Sequence, residues 1–263
     1  MKYYKKIILL LTVVFAITTS CNDELDIDPF ASLTTDSSFN TVDDFELALE
    51  GAYSQLIENN TAQGNGVYYG AVAMAGIPDI LSDNVILAQA GRQSNRNNFE
   101  YNYTSINNTG LINEAYEIIN LTNIIIERID NLQPGADRDN ILGEALALRA
   151  LCHFDMARTY AMIPTQDADA NSSLGMPYIK FEDGDTGDPF ATPSRDTVGE
   201  NYQDILGDLI QSRGLIAATN IQGRFTANGV NALLSRVYLY MGQWQNAIDS
   251  SNLVTASLAS IVS

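Results

Sequence analysis

Histidine, cysteine, tryptophan and basic residues are all scarce in this 263-residue chain. It holds one His, one Trp and two Cys, and 14 Lys and Arg stand against 32 Asp and Glu, which gives a formal net charge of −18. So acidic a surface repels phosphate backbones, which argues against nucleic acid as a partner. Two cysteines cannot form a metal cluster, and the sequence has no glycine-rich phosphate loop and no zinc-ligand spacing. We therefore expect no cofactor.

The single histidine argues against an enzyme. His153 lies within an apolar helical stretch without a nucleophile motif, so we interpret it as structural rather than as a general base. A glycosidase needs two carboxylates facing each other across a cleft, which a sequence cannot show. The acidic segment 183–188 has Gly187 at the fifth position of a calcium loop and places Ser194 at the twelfth, where liganding side chains are required. We interpret that segment as a solvated turn.

The first twenty residues have the layout of a secretory signal. Lysines precede an apolar run from Ile7 to Ile17, and a short stretch of small polar residues follows. The run is about 11 residues long, whereas a membrane-spanning helix needs roughly 20. Cys21 comes directly after the small-residue site, which predicts a lipoprotein acylated at Cys21, with an ordinary secreted protein as the alternative. We expect a signal over 1–20, a tether over 21–40 and a folded domain over 41–263.

Apolar residues recur at helical spacing through most of that domain, which predicts an all-α fold. The expected helices run from Phe45 to Ile57, Leu111 to Leu132, Ile141 to Met162 and Thr197 to Ala217. Thr41 or Asp43 should cap the first helix, Asp139 should cap the third, and Ile210 should lie on the packed side of the fourth. The two middle helices should pack as an antiparallel hairpin. Residues 59–70, 89–110 and 165–195 are expected to form loops.

The end of the sequence carries a tetratricopeptide-like pattern. The leucine, small, tyrosine, glycine, aromatic and alanine positions of that two-helix repeat are filled by Leu234, Ser235, Tyr238, Gly242, Trp244 and Ala247. Gly242 permits a sharp turn, and Leu234, Tyr238 and Trp244 are expected to fill the space between the two helices. One such unit cannot bury its own apolar face and needs stacked neighbours. The helices at 111–132 and 141–162 form a more divergent unit.

Together these residues resemble the SusD/RagB family of outer-membrane nutrient-binding lipoproteins. The resembling segments are Cys21 to Pro29, Asp44 to Leu56 (DFELALEGAYSQL), Tyr116 to Ile126 (YEIINLTNIII), Glu144 to Pro164 (EALALRALCHFDMARTYAMIP) and Arg224 to Trp244. Within the fourth segment Arg149, Phe154 and Arg158 fall in family positions, while Ala161 and Met162 stand where the family commonly has Gly-Asp. The resemblance covers about the first half of a typical member, so we expect the C-terminal half to be lacking, with a short natural member as the alternative.

The resemblance implies a tetratricopeptide-like, SusD-like protein that is lipid-anchored to the outer membrane and faces the cell exterior. Such a protein binds oligosaccharides and delivers them to a TonB-dependent, SusC-like transporter, without catalysis. Asp23 and Glu24 look like the family's surface-export signal. Two other hypotheses are a scaffold or lid subunit of the transporter that binds no sugar, and a surface hydrolase.

Aromatic residues on the loops are the candidate ligand contacts. Sugars are bound by aromatic faces and by hydrogen bonds to amides and carboxylates. The loops at 59–70 and 89–110 offer five aromatics among many asparagines, namely Tyr68, Tyr69, Phe99, Tyr101 and Tyr103. The alternative is that these aromatics pin the loops onto the helices. Trp244 is assigned to the repeat core, and Cys152 is interpreted as a buried small hydrophobe.

Overall fold

The computed structural model describes Tyr3 and residues 38–57, 68–69, 74, 76–82, 84–87, 96–100, 111–181 and 192–262. The chain divides into two units, Met1–Phe39 and Asn40–Ser263. The helices of the second unit are α1 (Val42–Ile57), α2 (Ile77–Ile80), α3 (Arg96–Phe99), α4 (Leu111–Arg128), α5 (Ala136–Tyr160), α6 (Val198–Leu215), α7 (Ala227–Tyr240) and α8 (Trp244–Val262). Two 3₁₀ turns cover Ile129–Asn131 and Ala170–Ser172. The predicted all-α class is confirmed.

No helix among the residues that the structure describes is both long enough and apolar enough to span a membrane.

Thr41 caps helix α1, as the sequence predicted. Its hydroxyl accepts a hydrogen bond from the Asp44 N–H at 3.3 Å, and Asp44 Oδ2 accepts one from the Thr41 N–H at 2.8 Å. This reciprocal pair satisfies backbone donors that a helix start leaves free. A hydrogen bond from the Thr41 hydroxyl to Asp44 Oδ2 at 2.8 Å, together with the one from the Thr41 N–H, holds the pKa of Asp44 below its usual value. Phe45 and Leu49 then point into the core.

Helices α4 and α5 form the predicted hairpin, but α5 begins earlier than the sequence suggested. The prediction that Asp139 caps it is wrong, because the residue before the first turn is Gly135 and the Asp139 N–H already donates to the Gly135 carbonyl at 3.0 Å. Asp139 lies in the first turn instead, where an acidic side chain favours the positive end of the helix dipole. The 3₁₀ turn ends at Asn131, and the chain passes Pro134 and Gly135 before the helix starts at Ala136.

Helix α5 is the centre of the fold. Almost every side chain from Ile141 to Ala157 is buried, and α5 packs against α1, α4, α6 and α7. Because neighbours surround it, polar residues of α5 are buried together with apolar ones, which requires a partner for each of them. Cys152 is buried as predicted.

Helix α6 follows a capping box in which Thr197 and Glu200 bond each other's backbone N–H. Its buried face comprises Val198, Tyr202, Ile205, Leu206 and Leu209. The prediction that Ile210 joins this face is wrong, since its side chain is 45% exposed. Ile210 is one residue past Leu209, and a step of one residue turns about 100° around a helix.

Helices α7 and α8 form the two-helix repeat around Gly242, whose φ of +71° is readily adopted only by glycine. Leu234, Val237 and Ala247 are buried, and the Ser235 hydroxyl donates to the Ala247 carbonyl at 2.8 Å. The prediction that Trp244 fills the space between the helices is wrong, because its side chain is 59% exposed. Trp244 instead lines a surface groove together with Ser235, Ala247 and Ile248.

The expected loops contain short helical turns. Helix α3 interrupts the segment 89–110, and the 3₁₀ turn at Ala170–Ser172 interrupts the segment 165–195. The acidic segment 183–188 lies outside the described residues.

Candidate ligand-binding region

The described part of the first aromatic loop is attached to the core by its backbone. The Tyr69 N–H donates to the Leu56 carbonyl at the end of α1 at 3.0 Å, and the Met74 N–H donates to the Tyr68 carbonyl at 3.0 Å. Tyr68 is fully buried, and its ring meets that of Tyr69 edge-on at 4.9 Å. In this arrangement the Tyr68 side chain cannot reach a ligand. It pins the loop to the helices, which is the alternative interpretation of the sequence.

Tyr69 is also attached through its side chain. Its hydroxyl donates to Asp155 Oδ2 on α5, and Arg158 Nε donates to Asp155 Oδ1 at 2.8 Å. The Asp155 side chain is wholly buried, so its charge depends on these two donors. Burial, and then the Asp155 charge, raise the pKa of the Tyr69 hydroxyl. The phenol therefore stays protonated and keeps donating.

The ring of Tyr69 nevertheless remains accessible. The residue is 36% exposed, so one part of the aromatic surface faces solvent while the hydroxyl is anchored. An anchored ring loses little conformational entropy when a ligand stacks on it. The geometry is compatible with a fixed stacking platform.

The remaining candidate aromatics are not brought together with Tyr69 by any described contact. Phe99 is half-buried at the last position of α3. Tyr101 and Tyr103 lie outside the described residues, as does Cys21.

Arginine on α5 organises a buried network that places a neighbouring segment. Arg149 donates to both carboxylate oxygens of Asp208 on α6, at 2.7 and 2.8 Å, and to Asn123 Oδ1 on α4 at 2.8 Å. Asn123 Nδ2 donates in turn to the Ile179 carbonyl at 3.0 Å, and the Tyr178 hydroxyl donates to Asp208 at 2.7 Å. The segment that carries Tyr178 and Ile179 is thus fixed to three helices. The acid partners of Arg149 and Arg158, which are Asp208 and Asp155, both lie on helices.

His153 belongs to the same network. Its Nδ1 lies 2.9 Å from the Arg149 carbonyl, and its Nε2 lies 3.1 Å from the Ile179 N–H, so the ring is neutral with the proton on Nδ1. Its ring stacks on Tyr178 at 3.8 Å between centroids. Burial lowers the pKa of His153 to about 3. Both nitrogens are occupied, which is the geometry of a structural histidine.

A second buried cluster joins α1 to α5 and was not anticipated from the sequence. The wholly buried Glu144 accepts hydrogen bonds from the Tyr53 hydroxyl at 2.7 Å and from Asn140 Nδ2 at 3.0 Å. Arg224 Nη1 lies 3.9 Å from Glu144 and pairs with Glu46. Burial raises the pKa of Glu144. The sequence signal that could have indicated this cluster is Tyr53 in α1, because the hydroxyl of a tyrosine that packs against other helices needs a hydrogen-bond partner.

A family model described as starch-binding and associating with the outer membrane, of the SusD-like type, matches residues 30–239. The chain belongs to the SusD-like family. A curated relative, SusD-like protein P38 of Formosa agariphila, is 23% identical over 261 residues, which is 98% of this chain.

SusD-like structures from Bacteroides share the fold. One described as a SusD-like carbohydrate-binding protein of Bacteroides vulgatus superposes with a TM-score of 0.71 at 26% identity over 83% of this chain. A SusD superfamily protein of Bacteroides thetaiotaomicron gives a TM-score of 0.64 at 28% identity over 82% of the chain. The chain spans about half the length of these proteins: 47% of protein P38, 45% of the former structure and 46% of the latter.

Proposed function

We propose that this protein is a cell-surface lipoprotein that binds oligosaccharides and passes them to a TonB-dependent, SusC-like outer-membrane transporter. The observation that carries the proposal is the match of residues 30–239 to a family described as starch-binding and associating with the outer membrane. The signal-like residues 1–20, followed by Cys21, support attachment through acyl chains. The Bacteroides vulgatus structure described as carbohydrate-binding supports the ligand class.

In this proposal Tyr69 offers its exposed ring to the sugar while Asp155, itself bonded by Arg158, accepts the hydrogen bond of its hydroxyl. Sugar C–H faces stack on such rings, and the rigid position lowers the entropy cost of binding. Phe99, Tyr101 and Tyr103 would extend the surface. The role is binding without catalysis, and His153, fully bonded inside the core, takes no part in it.

Two substitutions at one position separate the ring from its anchor. Tyr69→Phe removes only the hydrogen bond to Asp155, whereas Tyr69→Ala removes the ring as well. If the ring is a platform, isothermal titration with maltoheptaose should show a loss of roughly tenfold or more for the alanine variant. The phenylalanine variant should retain most of the affinity. Equal affinities for both variants and the unaltered protein would contradict the assignment of Tyr69.

A scaffold subunit that binds no sugar is the second candidate. The observation that favours it is that Tyr68 is fully buried and the Tyr69 hydroxyl is engaged with Asp155, so both residues also serve to hold the loop. Replacing Tyr101 and Tyr103 together by alanine discriminates the two functions. If neither the unaltered protein nor this variant shows measurable sugar affinity while the transporter complex stays intact, the scaffold is favoured.

Acylation has its own test. Growth with a palmitate analogue should label the unaltered protein and not the Cys21→Ala variant, and equal labelling of both would contradict an anchor at Cys21.

A further inference from the structure

A groove lies on the helical scaffold, lined by residues other than those of the aromatic loops. It has a volume of about 510 Å³, within the range of roughly 300–1,000 Å³ typical of small-molecule sites. Its walls come from four places: the segment just after α5, the 3₁₀ turn at Ala170–Ser172, the first two turns of α6, and the turn between α7 and α8. The lining residues are Pro164, Asn171, Gly199, Glu200, Gln203, Asp204, Met241 and Gln243.

Three residues with side-chain amides line this groove, namely Asn171, Gln203 and Gln243. Asn171 and Gln203 are exposed, and neither side chain makes a hydrogen bond within the described part of the chain. The Gln243 side-chain oxygen Oε1 accepts a hydrogen bond from Asn246 Nδ2 at 2.7 Å, which leaves the side-chain NH₂ group of Gln243 available to a ligand. An amide offers a donor and an acceptor side by side, which matches the vicinal hydroxyls of a sugar.

The carboxylates at the groove are already engaged. Glu200 accepts from the N–H and the hydroxyl of Thr197, at 2.8 and 2.7 Å. Asp204 pairs with Lys180 at 2.7 Å. Among the described residues that line the groove, the charged side chains are the carboxylates of Glu200 and Asp204, and Lys180 neutralises only the second, which disfavours an anionic ligand. Pro164 and Met241 supply a small apolar wall for the C–H face of a ring.

We propose that this groove binds a neutral saccharide, as a second site separate from the aromatic loops. Gln203 and Asn171 provide the specific hydrogen bonds, and the apolar wall contacts the ring. The proposal goes beyond the proposed function in position, because it places a sugar on α6 and the α7–α8 turn.

The test is a titration of the purified protein with neutral trisaccharides, followed by NMR of side-chain amides. Maltotriose, laminaritriose and cellotriose are the probes, and trigalacturonate is the anionic comparison. We expect the Asn171 and Gln203 NH₂ signals to shift with at least one neutral probe and not with trigalacturonate. The matched control is Gln211, an exposed amide two turns further along α6 and outside the groove, whose signal should stay in place.

Variants connect the shifts to the site. The double variant Asn171→Ala/Gln203→Ala should weaken binding at the groove by about tenfold or more, while Gln211→Ala leaves it unchanged. Circular dichroism confirms that each variant is folded. Absence of shifts with all three neutral probes, equal response to trigalacturonate, or full affinity of the double variant would overturn the proposal. Binding that is lost in Tyr69→Ala and retained in the double variant overturns the groove alone and supports the aromatic site.

Discussion

Replacing Asp208 by alanine should destabilise the protein far more than replacing Asp204, although the two residues lie one turn apart on α6. Asp208 accepts three hydrogen bonds, two from Arg149 and one from the Tyr178 hydroxyl. The side chains of Arg149 and Asp208 are only 7% and 6% exposed. Asp204 makes one pair with Lys180, with both side chains at least a third exposed.

The expected magnitudes follow from burial. Removing one partner of a buried ion pair leaves a charge without compensation and costs about 3–5 kcal/mol. An exposed pair contributes roughly 0–1 kcal/mol. The difference between the two alanine variants should therefore exceed about 2 kcal/mol. Asp208→Asn, which keeps acceptor capacity and shape, should fall between them.

The assay is urea unfolding followed by far-UV circular dichroism, with the free energy of unfolding compared among variants. The double variant Arg149→Met/Asp208→Leu removes both charges and should recover part of the loss. If Asp208→Ala lies within about 1 kcal/mol of Asp204→Ala, the network does not hold α5 to α6 as the geometry indicates.

Three further outcomes follow from the structure. His153 has a folded-state pKa of about 3, below its unfolded value near 6.5, so stability falls by about 1.4 kcal/mol per pH unit as pH drops below about 6.5. The C2 proton of this single histidine should not titrate between about pH 8 and 5, and an NMR midpoint near 6.5 would contradict the buried neutral ring. Gly242→Ala puts a side chain on a residue with φ +71° and should lower the free energy of unfolding by about 1–2 kcal/mol. Gly207→Ala within α6 adds a methyl group that meets no neighbouring atom, and should be neutral or stabilise by up to about 1 kcal/mol. Equal effects of the two variants in urea unfolding would refute the turn geometry. Trp244→Ala should cost less than about 1 kcal/mol and Phe154→Ala about 3–5 kcal/mol, and the reverse order would place the indole in the core.

Local signals account for the helices that the sequence predicted correctly. Thr41 and Thr197 stand at helix starts because a hydroxyl can accept from a free backbone N–H, and Gly242 marks the repeat turn because a left-handed residue is needed there. These are interactions between residues close in sequence. The start of α5 was predicted wrongly at Asp139, because an acidic residue is favourable both at the N-cap and in the first turn of a helix.

Contacts between distant residues explain why the candidate site was only partly predicted. Nothing near Tyr69 in the sequence reveals that its hydroxyl donates a hydrogen bond to Asp155, 86 residues later. The same holds for Tyr68, whose aromatic character suits a sugar platform and a core position equally well. The separation of the two roles depends on which side of the loop faces α5.

By itself the sequence determined the all-α class and most helix positions, because periodicity, caps and turn glycines act over a few residues, and the resemblance of its segments to known members indicated the family. Only the tertiary structure decided which side chains of those helices are enclosed. It turned Trp244 outward, buried Tyr68, and gave Arg149 and His153 their partners on three helices and on the segment at Tyr178 and Ile179. The physical reason is that burial and ion pairing depend on what packs against a residue. The central helix α5 is packed against four other helices, α1, α4, α6 and α7.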